Sequence, residues 1–267
     1  MKGRKLEHYQ TIIFKTEDAV ANVILNRPEV HNAFNEVMIK ELTEVFEKIS
    51  KDEHIRVVVL TGKGKSFCAG ADLNWMKKVI SFSYEENFDD SFKLAQLFYL
   101  IYSLPKPTIA KVNGAAIGGG TGLVSVCDIV IASEEAKFSL SEVKLGLVPA
   151  CISPYVIRRM GESRCREFFL TGERLSAERA SKFGLVNEVV PSNDLDKAVD
   201  EKVKQLISSG PEALKCCKEL LEKVPLMNLD LATSYTAEVI AKLRISDEGQ
   251  EGMNAFLEKR KPKWSKD

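Results

Sequence analysis

The apolar positions along this chain follow two different periods. Residues 9–14 and 19–25 alternate or run apolar on either side of a charged break at 15–18, which predicts a β-hairpin. Over residues 35–50 the spacing becomes helical, with Val37, Ile39, Leu42, Val45, Phe46 and Ile49 on one face and Asn35 placed to cap the first turn. Residues 57–60 are too short and too β-branched for a helix and read as a buried strand. A polar and aromatic stretch at 81–90 leads into a helix expected at about 91–103. Pro105 and Pro107 stop it before strands at 109–112 and 129–132. Strand followed by helix, repeated, predicts an α/β architecture with crossover connections. After Pro191 the pattern is entirely helical, at about 194–208, 211–223, 229–243 and 247–259, with Pro211 suited to a first turn. We therefore expect an α/β core over residues 1–195 and a helical region over 196–267. The latter is too small and too amphipathic to bury itself well, so it is expected to pack on partner subunits.

Composition narrows the classes. A chain of 267 residues can form one large domain or one domain with an appendage. Hydrophobic content of 45% with 28% charge suits a soluble protein with a sizeable core. Lys+Arg 38 balances Asp+Glu 38, so no global field draws the chain onto nucleic acid, and an anionic ligand must be held by local charge. The apolar runs fall far short of the ~20 residues that span a bilayer, and residues 1–8 carry no apolar signal segment. The expectation is a cytoplasmic protein with neither membrane nor nucleic-acid partners. Cysteines at 68, 127, 151, 165, 216 and 217 form no CxxC, and there are 3 histidines. They read as reduced thiols, and no metal site is expected.

Two segments carry the chemistry. Lys65-Ser-Phe-Cys-Ala-Gly-Ala-Asp72 and Asn113-Gly-Ala-Ala-Ile-Gly-Gly-Gly-Thr-Gly122 each follow a strand-like run. Neither holds a Ser–His or Cys–His pairing, but both expose bare backbone N–H with little Cβ bulk. Two such amides aimed at one point form an oxyanion hole, which stabilises charge developing on a carbonyl oxygen. Other readings of the glycines fail on spacing. A phosphate-binding P-loop needs glycine at Val59, and a dinucleotide fingerprint needs glycine at Ser125.

With Leu25-Asn-Arg-Pro28 upstream and Leu140-Ser-Glu-Val-Lys-Leu-Gly146 downstream, these segments resemble the crotonase (enoyl-CoA hydratase/isomerase) superfamily, from about residue 12 to residue 264. More narrowly, Ala69-Gly-Ala-Asp-Leu-Asn-Trp75, Leu145-Gly-Leu-Val-Pro-Ala-Cys-Ile-Ser-Pro-Tyr155 and Glu248-Gly-Gln-Glu-Gly-Met253 are similar to bacterial 3-methylglutaconyl-CoA hydratases. The resemblance implies a spiral of repeated ββα units, a C-terminal trimerisation region, and a homotrimer or dimer of trimers. It implies an acyl-CoA substrate, with coenzyme A as part of the substrate and no separate cofactor.

Residue by residue, the resemblance makes the N–H groups of Ala71 and Gly119 the oxyanion donors, beside Gly118. Glu142 becomes the acid–base carboxylate, and its apolar sequence neighbourhood suits a raised pKa. Arg27 is expected near the CoA phosphates, with Ala69, Asp72 and Leu73 along the adenine and pantetheine path. Phe256 and Lys259 are expected to reach the nucleotide from a neighbouring subunit. Pro149, Cys151 and Tyr155 replace a glycine-rich string and suggest an altered acyl pocket. Trp75, Met76, Phe82, Tyr84 and Phe88 are expected in the mobile segment that shapes it. One departure matters: many family hydratases carry a second glutamate where this chain has Gly122. With Glu142 alone, hydration of a branched 2-enoyl-CoA, Δ3,Δ2-enoyl-CoA isomerisation and weakly catalytic acyl-CoA binding all remain open.

Overall fold

The structure is a computed structural model that describes residues 5–265. Strands β1 (Lys5–His8), β2 (Ile12–Glu17) and β3 (Val20–Leu25) form an antiparallel meander, in which β2 runs on through Lys15, Thr16 and Glu17 of the predicted charged break and only Asp18 of it falls in the β2–β3 turn. Helix α1 (Glu36–Lys51) begins where the pattern predicts, with Asn35 accepting the Met38 N–H at 2.9 Å. Then follow β4 (Val57–Gly62), β5 (Ser66–Cys68), α2 (Leu73–Val79), α3 (Tyr84–Tyr102), β6 (Thr108–Val112), β7 (Ala115–Ile117), α4 (Gly119–Val126), β8 (Ile129–Ser133) and β9 (Lys137–Ser139). After a 3-10 turn at Ser141–Leu145 come α5 (Ser153–Met160), α6 (Glu162–Thr171), β10 (Arg174–Ser176), α7 (Ala177–Lys182) and β11 (Glu188–Val190). The chain closes with α8 (Leu195–Ile207), α9 (Pro211–Lys223), α10 (Leu229–Ile245) and α11 (Asp247–Leu257).

The strands form two sheets in a mixed α/β fold. One has the order β1-β2-β3-β4-β6-β8-β11 and is parallel from β3 onward. The other, β10-β9-β7-β5, is parallel except for its β10–β9 edge. The central strands are apolar on both faces because both are covered. Val58 and Leu60 of β4 enter the main core with Phe46 of α1 and Phe98 of α3, whereas Val57 and Val59 meet Leu195, Val199 and Val203 of α8. Thus α8, the first helix past the expected division at residue 195, seals one face of the large sheet. Burial falls away beyond it: α9 has no buried residue, α10 has Ala232 and α11 has Ala255.

One boundary is corrected. Helix α3 starts at Tyr84, about two turns before the expected position, so most of the polar and aromatic stretch is its first half. The cause is a capping box: Ser83 Oγ accepts the Glu86 N–H at 3.2 Å, while the Glu86 carboxylate accepts the Ser83 N–H at 2.8 Å. Among the described residues no helix is long and apolar enough to cross a membrane.

Candidate active site

The β5–α2 loop and the β7–α4 turn come from the same four-stranded sheet, where parallel pairing of β5 with β7 brings their C-terminal ends side by side. Their approach is close. A Cβ on Gly120 would fall 2.3 Å from the Cys68 carbonyl oxygen, and one on Gly70 would fall 3.0 Å from that of Ile117. Gly70 also has φ +91°, a backbone conformation that glycine adopts without steric cost.

Residues 69–72 are held by main-chain bonds on one side. Ala69 N–H donates to the His31 carbonyl at 3.0 Å, Phe34 N–H to Gly70 at 2.6 Å, and Asp72 N–H to Phe34 at 2.7 Å. In this parallel bridge the Ala71 N–H falls on the opposite edge, turned away from Phe34. It donates to no acceptor among the described residues. Gly119 is the first residue of α4, so its N–H has no carbonyl a turn earlier to bond. Both N–H groups are available, and the second carries the positive end of a helix dipole.

Glu142 lies against Gly118, the residue before Gly119. Its Oε1 is 3.0 Å from the position a Cβ on Gly118 would occupy, and Gly118 has φ +52°. The turn that presents it is fixed by Leu147 N–H donating to the Glu142 carbonyl at 3.0 Å. Glu142 Oε2 is buried with no hydrogen-bond partner among the described residues. Burial raises its carboxyl above the usual carboxylate range, and a hydrogen bond from its own backbone offsets this only in part. A buried carboxylate with an unused oxygen is equipped to exchange a proton with something placed beside it.

The place of the second carboxylate is physically filled. A Cβ on Gly122 would lie 2.2 Å from Ile152 Cγ2 and 3.0 Å from Phe98 Cζ. Ile152, at the start of α5, is 3% exposed. No periodic pattern marks it, because the contact joins α4 to a residue 30 positions later through the tertiary fold.

The remaining candidates separate into groups. Leu73 is 74% exposed, Pro149 is buried, and Ala69 is half-buried beside Cys68. Phe256, in α11, is 83% exposed, and Lys259 is exposed just past that helix. Arg27 and Asp72 pair on the wall of a cavity of about 260 Å³ that Lys78 also lines: Arg27 Nη2 is 2.7 Å from Asp72 Oδ2, and Nη1 donates to the Ala33 carbonyl at 2.7 Å. Asp72 also caps α2, with Oδ1 accepting the Asn74 N–H at 2.7 Å. Burial pushes the Asp72 carboxyl up, but hydrogen bonds from Arg27 and from the Asn74 and Trp75 N–H groups outweigh it and hold it low. Arg27 and Asp72 are therefore spent on each other, a pairing across 45 residues that the sequence does not announce.

Leu145, Leu147 and Val148, which follow Glu142, are exposed, as are Ile80, Tyr84 and Phe88 at the end of α2 and in the first half of α3. Tyr84, Phe88 and Phe92 stack with ring separations of 6.5 and 5.8 Å. All three lie in α3. A cavity of about 550 Å³ opens elsewhere, between α5 and α9, and its lining includes neither Glu142 nor the two amides. Among the described residues, no three His, Cys, Asp or Glu side chains are grouped to hold a metal.

Residues 15–267 match the enoyl-CoA hydratase/isomerase family. The crystal structure of an enoyl-CoA hydratase from Shewanella pealeana superimposes with a TM-score of 0.93 at 42% identity, covering 96% of both chains. The short-chain-enoyl-CoA hydratase of Clostridium acetobutylicum is 34% identical over 256 residues, 94% of this chain and 95% of that protein. The 2,3-dehydroadipyl-CoA hydratase of Escherichia coli is 32% identical over 252 residues, 94% of this chain and 97% of that protein.

Proposed function

This chain belongs to the enoyl-CoA hydratase/isomerase family, and from that membership we propose that it adds water across the 2,3 double bond of an enoyl-CoA thioester. In this reading the thioester oxygen accepts hydrogen bonds from the Ala71 and Gly119 N–H groups. Glu142 takes a proton from water as the water oxygen bonds to C3. The π electrons move toward C1, and the enolate oxygen that forms is the charge the two amides stabilise. One such donor is worth about 3 kcal/mol of barrier, so a pair carries a large share of the acceleration. Collapse of the enolate returns the proton from Glu142 to C2, so one carboxyl group both accepts and delivers it and the sum is one water added. The observation that carries this reading is the Glu142 carboxylate, buried and with an unpaired oxygen, against the glycine turn that ends in a free amide.

The finer reading is a branched, carboxylated acyl group of the 3-methylglutaconyl type. It is supported by the sequence strings around Trp75, Tyr155 and Gly252. The Escherichia coli relative is named for a substrate with a carboxylate at the far end of its acyl chain, which is in keeping. Phe256 and Lys259 are assigned to the CoA nucleotide of a neighbouring protomer within a homotrimer or a dimer of trimers.

The test is turnover by purified protein of 3-methylglutaconyl-CoA and crotonyl-CoA in 18O-labelled water. Loss of enoyl absorbance with one labelled oxygen in the product is expected. Isomerisation of a 3-enoyl-CoA without label, and no hydration of either thioester, would overturn it.

A further inference from the structure

We propose that Arg27 and Asp72 are positioning residues that aim the Ala71 amide, rather than ligands of the CoA moiety. The inference rests on the oxyanion reading above and goes beyond it, because it assigns a catalytic consequence to a pair that touches no reacting atom.

Ala71 is placed by what flanks it. Gly70 is tied through its carbonyl to Phe34 N–H at 2.6 Å, and Asp72 through its N–H to the Phe34 carbonyl at 2.7 Å. Those bonds leave the Asp72 end as a pivot: it is the capping residue of α2, and motion of that helix would swing residue 71. Arg27 removes the freedom. Its guanidinium bridges Asp72 Oδ2 and the Ala33 carbonyl, both at 2.7 Å, so it joins the chain on each side of the Phe34–Ala71 bridge. The base of this strut is rigid. Arg27 N–H donates to Asn32 Oδ1 at 2.8 Å, and Asn32, fully buried, donates to the Lys63 and Ser66 carbonyls at 3.0 and 2.8 Å. The Ala71 N–H is thus aimed by a scaffold that runs from the end of β3 through the β4–β5 loop.

A phosphate ligand fits this pair poorly. Arg27 and Asp72 side chains are 17% and 6% exposed, and each neutralises the other at 2.7 Å. A phosphate would have to take the guanidinium from a buried carboxylate, which would keep only the Asn74 and Trp75 N–H groups of its present hydrogen bonds. Displacing a catalytic group by about 1 Å is enough to cost ~100-fold in rate, so a strut holding an oxyanion donor leaves its mark on kcat.

Asp72→Asn and Arg27→Lys separate the two roles, since an asparagine side chain still caps α2 and a lysine side chain still carries the positive charge. Each variant is assayed with an enoyl-CoA and with the matching enoyl-pantetheine, which lacks the nucleotide phosphates, and CoA affinity is measured by calorimetry. We expect kcat to fall by roughly 10–100-fold, by the same factor for both thioesters, with KM and CoA affinity changed by less than about three-fold. A raised KM for the CoA thioester alone, with kcat kept and the preference for CoA over pantetheine lost, would overturn the positioning role and return Arg27 to the phosphates. Unaltered kinetics in both variants would overturn it as well. Wild-type protein that turns over neither thioester would instead bring down the hydratase reading, and the positioning role with it.

Discussion

At Glu142, burial and catalysis pull against stability. Its folded-state carboxyl is raised above the ordinary value near 4.5, chiefly by desolvation. The stability this group contributes is therefore fully present below its unfolded pKa and is lost as pH rises through the folded one, so at neutral pH the ionised form weakens the fold. Glu142→Gln should abolish hydration while raising the unfolding temperature at pH 7.5, with the gain vanishing near pH 4. Thermal melts across that range check the sign. The wild-type kcat/KM should fall at acidic pH with a midpoint above the ordinary glutamate value, because the base must be ionised. Gly122 supplies the second residue-scale prediction. Gly122→Glu does not create a two-carboxylate site, because its Cβ would begin 2.2 Å from Ile152 Cγ2. It should destabilise by about 1–3 kcal/mol through overpacking, with no gain in turnover. The double variant with Ile152→Ala should recover part of that loss in a denaturant titration.

Among the elements, α3 begins earlier than the apolar period predicts, for a local reason that the sequence does contain. Ser83-Tyr-Glu-Glu86 is a capping-box pattern, but the polar residues after it mask the helical period. Exposed Tyr84, Phe88 and Phe92 occupy one stripe at four-residue spacing, turned outward rather than into the core. Ser83→Ala should therefore cost about 1 kcal/mol of stability and speed amide exchange over residues 84–92 far more than over 97–102. The N-terminus of α4 is the opposite case. Its glycine run is legible as a turn from composition alone, and the helix that starts there supplies the free Gly119 N–H. Short strands such as β5, β7, β9 and β10 give no periodic signal, since three residues hold too few alternations to stand out.

For the molecule as a whole, the last three helices set the expectation of assembly. Leu221, Leu226, Leu229 and Leu257 are 72–85% exposed in a single protomer, and α9 buries nothing. Exposed apolar side chains of this size are available to a partner surface. Light scattering coupled to gel filtration should give a mass of three or six protomers, and Leu229→Asp paired with Leu226→Asp should lower it. A wild-type monomer at micromolar concentration would remove the basis for assigning Phe256 and Lys259 to a neighbour's nucleotide.

The hairpin, α1, the central strands and the four C-terminal helices were all set by the sequence itself, because period and capping act over a single turn or one strand pair. The chemistry-bearing types were set there too: small residues at 69–71 and 118–120, one glutamate at 142, and glycine at 122. Tertiary structure alone decided what those residues meet. The side-by-side order of β5 and β7 set the approach of the two loops. The return of the chain through the 3-10 turn placed Glu142 on Gly118, and the start of α5 put Ile152 over Gly122. Arg27 reached Asp72 only because the segment after β3 pairs with the β5–α2 loop at the Phe34–Ala71 bridge. Such contacts depend on strand order and on the volume that distant side chains fill, and neither quantity is encoded within any short stretch of the chain.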